Sequence, residues 1–162
     1  MRKLTCFILL SCLFGMGNLF AQKLVLSPFG MCSSDSLSVP YVEYSYRQGV
    51  SQKDLKDYCI QKLSQPDFFS YRVDYTDDKT IKLSGFVRKT FKGERFSLLF
   101  EFGLQSIRVS SQLFMKDGSE MDCQKMFTKK GRLKDYKFKT MIEPRVNEII
   151  RSMLDMKIIM NK

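Results

Sequence analysis

Four runs between residues 71 and 115 alternate apolar and polar side chains, and only short links separate them. "FSYRVDYT" puts Tyr71, Val73 and Tyr75 on one side. "TIKLSGFVRKTF" does the same with Ile81 and Leu83, and "ERFSLLFEFGL" with Phe96, Leu98, Phe100 and Phe102. "IRVSSQLFM" sets Ile107, Val109, Leu113 and Met115 against Arg108, Ser110 and Gln112. A period of two in aromatic and β-branched sequence predicts strands. The links, "TDDK" at 76–79, Lys92-Gly93 and Gln105-Ser106, are too short for the crossover that parallel strands need. The four strands therefore form an antiparallel meander with one buried face and one at least partly wet. Gly85 is the expected place for a bulge.

The flanks supply the rest of the fold. At 37–47, "LSVPYVEYSYR" alternates with Val42, Tyr44 and Tyr46 on one face, and Pro40 marks the start or an edge. Ser51 then caps a helix, with Asp54 three residues on and Val50 and Leu55 at staple spacing. Leu55, Tyr58, Cys59 and Leu63 line its apolar face, and Pro66 lies past its end. A closing helix is expected from Pro144, a residue suited to a first helical position. Its stripe is Val146, Ile149, Ile150, Met153 and Leu154. The order β-α-β-β-β-β-α predicts an α+β domain: an antiparallel sheet of about five strands with two helices on one face, which buries both stripes.

The chain opens Met1-Arg2-Lys3, runs through "LTCFILLSCLFGMGNLF" and reaches Ala21-Gln22. A basic start, an apolar run and a small residue are the parts of a signal peptide, expected at 1–21 with cleavage after Ala21. That predicts an exported protein, periplasmic or secreted, with no transmembrane segment after cleavage. Alternatives are an uncleaved anchor, or a lipoprotein held at Cys12 after "LLSC". Residues 22–36 read as a loose, turn-rich leader, 37–157 as a single domain, and 158–162 as a tail. Three cysteines follow residue 21, which does not suggest a disulfide framework. Cys59 falls on a helix face as a small apolar residue. Cys32 and Cys123 lie in loop-like sequence, and spacing does not decide whether they pair.

The strand "YSYRQGVSQKDLKDYC", the middle strands, the "KDG" at 116–118 and the closing amphipathic helix together resemble a family of exported bacterial domains of unknown function. The fold of that family is similar to one half of the TATA-box-binding protein. The resemblance covers about residues 37–157 and rests on layout and short motifs. It implies the fold and export, and it brings no catalytic residues. The basic segment before the last helix departs from the family's minimal pattern. A fold shared with a DNA binder does not carry DNA binding with it.

The chain has no histidine, which removes the usual Ser-His-Asp and Cys-His machinery and most catalytic zinc sites. No phosphate-binding glycine motif and no metal-spaced cysteine pair is present, so no cofactor is expected. Asp77 and Asp78 read as turn residues. "KDGSEMD" lacks the order of a calcium loop. The five tyrosines Tyr41, Tyr44, Tyr46, Tyr71 and Tyr75 read mainly as core, and the outward ones as a patch for protein or glycan.

Charge is uneven. Residues 22–78 hold six Lys/Arg against eight Asp/Glu, and 79–162 hold nineteen against nine. The excess peaks in "KMFTKKGRLKDYKFK" at 125–139, within an aperiodic basic loop expected at 119–139. Lys129, Lys130, Arg132, Lys134, Lys137 and Lys139 are the candidate contacts to an anionic envelope surface, with a solvated loop as the plain alternative. Another envelope protein is a further candidate partner. Export makes nucleic acid an unlikely one. The functional expectation is a non-catalytic binding or interaction domain. The rival is a carboxylate-dependent hydrolase acting on an envelope polymer.

Overall fold

The computed structural model describes residues 22–63, 71–87 and 93–154. The readings for 1–21, Pro66, Lys92 and 158–162 fall outside those residues. The elements are β1 (Leu24–Ser27), β2 (Gly30–Ser33), β3 (Tyr41–Ser45), α1 (Gln52–Leu63), β4 (Tyr71–Thr76), β5 (Thr80–Phe86), β6 (Arg95–Phe102), β7 (Ser106–Phe114), a 3-10 turn (Cys123–Met126) and α2 (Tyr136–Met153).

The fold is α+β. Five antiparallel strands lie in the order β3-β7-β6-β5-β4, and β1 and β2 form a separate two-stranded sheet. Alternation sets the register: Ile81 faces Phe100, Phe100 faces Val109, and Val109 faces Val42. This band of buried side chains joins Leu55 and Cys59 of α1 and Phe138, Ile142, Val146, Ile150 and Met153 of α2 in one core. Ser51 caps α1 as its sequence predicts. Its Oγ accepts from the Asp54 amide at 3.1 Å, and Asp54 Oδ2 accepts from the Ser51 amide at 3.2 Å. The two helices meet where Cys59 Sγ donates to the Met153 carbonyl.

Five expectations need correction. Residues 22–36 are no loose leader, because β1 and β2 form a hairpin whose Leu24, Leu26 and Met31 enter the core. Pro28 and Phe29 make its turn, and Gly30 takes the φ of +106° that closes it. A lone hairpin is marginal; this one is held by β2 beside β7 and β1 beside α2.

The bulge lies in β4 and not at Gly85. Val73 pairs with Leu83 but Tyr75 with Lys82, so Asp74 is the extra residue. One extra residue reverses every later side chain. Tyr75 therefore faces outward, 54% exposed. Gly85 pairs regularly with Tyr71 and Phe96, so its missing side chain falls between two aromatic residues.

Met115 lies beyond β7 in the turn that Gly118 closes, and is exposed. α2 starts at Tyr136, with Pro144 inside it. Asp135 caps it by accepting from the Phe138 amide at 3.0 Å. An internal proline costs about 3 kcal/mol. Burying Phe138 and Ile142, roughly 1.5–3 kcal/mol each, offsets that cost, and the Pro144 ring itself meets solvent. Residues 119–139 are consequently ordered in three pieces: the 3-10 turn, a tight turn and the first residues of α2.

Candidate functional site

The basic segment is built on apolar anchors. Met126, Phe127 and Leu133 are half-buried against the core. Phe127 and Leu133 form an antiparallel bridge, and the Lys134 amide donates to the Met126 carbonyl at 2.8 Å. Between them the chain reverses at 128–132. The Thr128 amide donates to the Arg132 carbonyl at 2.7 Å, and Thr128 Oγ1 accepts from the Arg132 amide at 3.1 Å. Gly131, at φ +74°, makes the reversal without strain. Met126, Phe127 and Leu133, mixed among the cations, thus point inward, which leaves the cations of the turn to solvent.

The structure treats the six candidate cations differently. Lys129, Lys130 and Arg132 are exposed around the tip of the turn. Lys134 is exposed, and its Nζ donates to the Lys125 carbonyl at 2.9 Å, tying the turn to the 3-10 element. Lys137 is exposed in the first turn of α2. Lys139 is half-buried and pairs with Glu143 at 3.5 Å, so it belongs to the fold more than to the surface. Sequence reasoning left out Tyr136, which is 69% exposed beside Lys137. Helical spacing from Phe138 would have placed it on the outer side. Among the described residues, Lys129, Lys130, Arg132 and Lys137 make no ion pair.

Asp77, Asp117 and Asp122 are engaged in turns. Asp77 accepts from the amides of Lys79 and Thr80 at 2.8 and 2.6 Å and from the Tyr75 hydroxyl at 2.7 Å. These bonds, the Tyr75 hydroxyl first, draw its pKa down to about 2. Asp117 accepts from the Ser119 hydroxyl and amide, which lowers its pKa. Asp122 caps the 3-10 turn and pairs with Lys125 at 3.2 Å. Among the described residues no group of three or more Cys, Asp or Glu is placed to hold a metal ion.

The outer sheet face carries Tyr41, Glu43, Arg108, Ser110, Gln112, Ser97, Leu99 and Lys82. Arg108 lies over the Tyr41 ring at 5.0 Å and pairs with Glu43 at 3.3 Å. A shallow hollow of about 340 Å³ runs from Pro40 and Tyr41 to Lys82 and Glu101. Of the five tyrosines, Tyr44 and Tyr46 are buried and Tyr71 packs partly against the core. Tyr41 and Tyr75 face outward. No helix among the described residues is long and apolar enough to cross a membrane. Compared with known proteins, the chain matches no family model, no curated sequence and no solved structure.

Proposed function

We propose that this is an exported, non-catalytic binding domain that contacts anionic envelope components through its basic segment, in line with the family it resembles. One observation carries the reading: Lys129, Lys130, Arg132, Lys134 and Lys137 are exposed on a segment whose apolar residues anchor it to the core. An ordered turn presents its charges in a fixed arrangement, where a loose loop would spread them. Each cation near an anionic surface is worth about 1 kcal/mol, screened within about 10 Å at 0.1 M salt.

The test compares wild type with a variant carrying Gln at 129, 130, 132 and 134, on vesicles of anionic phosphatidylglycerol or neutral phosphatidylcholine. Four lost charges, about 4 kcal/mol, predict a drop in retention on the order of 1,000-fold at low salt, with the variant's melting temperature within a few degrees of wild type. Wild-type retention should fall as salt rises and be absent on the neutral vesicles. Equal retention of both proteins at low salt overturns the reading.

A further inference from the structure

Two buried thiols lie in elements that border one end of the sheet. Cys32 lies in β2 and Cys123 opens the 3-10 turn, and both are free and buried. β2 runs beside β7, and the Met121 amide donates to the Leu113 carbonyl near the end of β7 at 2.8 Å. The hairpin and the 3-10 turn therefore border the same end of that strand. Between them is a hollow of about 400 Å³, walled by Gly30 and Met31 on one side and Met121 to Gln124 on the other. Ser27 Oγ lies 3.1 Å from Cys32 Sγ and helps orient it. The third cysteine is engaged elsewhere: Cys59 lies between the helices, with its thiol on the Met153 carbonyl.

We propose that Cys32 and Cys123 are a cross-linking site that closes to a disulfide and staples the N-terminal hairpin to the segment leading into the basic turn. The oxidant is a small or protein disulfide, R–S–S–R. The thiolate of Cys123, a residue that borders the hollow, attacks one sulfur and expels the first R–S⁻. The Cys32 thiolate then attacks the Cys123 sulfur of the mixed disulfide and expels the second. Two protein thiols are oxidised to one cystine, the oxidant is reduced to two thiols, and the two protons go to solvent or to the leaving thiolates.

Burial, a neighbouring Asp122 and Cys32 itself push the Cys123 thiol up to about 11. Only the thiolate reacts, so exchange in the folded protein is slow near neutral pH. It accelerates about tenfold per pH unit below that pKa. In the cell the bridge depends on the export proposed above, because only an oxidising compartment sustains it. In the test tube it does not.

The experiment treats the purified protein with oxidised glutathione at pH 9, alkylates the remaining thiols, digests with trypsin and maps the products by mass spectrometry. The expected product joins peptide 24–47 to peptide 117–125 with the loss of two hydrogens, and leaves Cys59 alkylated in peptide 57–62. A cross-link closing so long a loop should raise the melting temperature by about 10 °C, and a reductant should reverse the shift. Cys32→Ser and Cys123→Ser should each abolish that shift, and Cys59→Ala should keep it. All thiols alkylated after oxidation, or a bridge to Cys59 or to the cysteines before residue 22, overturns the proposal. If a serine variant fails to fold, the peptide map of wild type decides alone. Vesicle retention is read separately, so losing the bridge and losing the anionic-surface reading are distinct results.

Discussion

Asn147 holds Leu24 by both of its backbone groups. Its Oδ1 accepts from the Leu24 amide at 2.9 Å, and its Nδ2 donates to the Leu24 carbonyl at 2.8 Å. One turn earlier in α2, Glu143 Oε1 accepts from the Leu26 amide at 2.7 Å. A neighbouring strand would supply such bonds to β1; here two helix side chains supply them. They cover an edge that would otherwise bury unpaired polar groups.

Replacing Asn147 with Ala should strand a buried amide and a buried carbonyl, at about 1–3 kcal/mol for each unsatisfied group. A total loss of about 2–6 kcal/mol is expected in urea denaturation, with faster amide exchange at Leu24 and Leu26. Wild-type stability would mean that β1 is not docked on α2 as described.

Phe138 tests the early start of α2. It is 5% exposed, and Phe138→Ala should cost about 3–5 kcal/mol, with Ile150→Ala at about 2–5. Tyr136→Ala, two residues before Phe138 and on the outside, should stay within about 0.5 kcal/mol of wild type. Thermal melts of the three variants separate a docked first turn from a frayed one.

Ser51→Ala should remove the cap of α1 and cost about 1 kcal/mol. Ser51→Asp should restore most of it, because a carboxylate can accept from the same amide. Chemical denaturation of both variants checks this, and equal losses would sink the capping account.

Alkaline pH should destabilise the fold. Burial pushes the Cys59 thiol from 9.0 up to about 12, and the Tyr44 hydroxyl from 10.0 up to about 12. The unfolded chain releases these protons first and so binds fewer of them. Stability is thus complete below pH 9 and is lost as pH rises toward 12. For Cys59 the loss is on the order of a few kcal/mol, at 1.36 kcal/mol per pKa unit. Cys59→Ala should lower stability at pH 7 and flatten the slope above pH 9. An unchanged slope would show that the thiol does not titrate with unfolding.

The meander, the capped start of α1 and the apolar stripe of α2 from Val146 onward could be read directly from residues 41–63 and 71–153. Each depends on neighbours within a turn or a strand, where period and capping chemistry act locally. The exposure of Lys129, Lys130 and Arg132 was legible for the same reason, since unpaired charge stays in water. Tertiary structure decided the rest. The hairpin of 24–33 has short strands and little local signal, and it is ordered by Asn147, 123 positions away in sequence. The start of α2 before Pro144 depends on burying Phe138 and Ile142, which outweighs the local preference of proline for a first turn. Lys139 leaves the candidate surface only because α2 brings Glu143 one turn below it. Tyr75 faces water because a single extra residue in β4 inverts the alternation that its sequence displays.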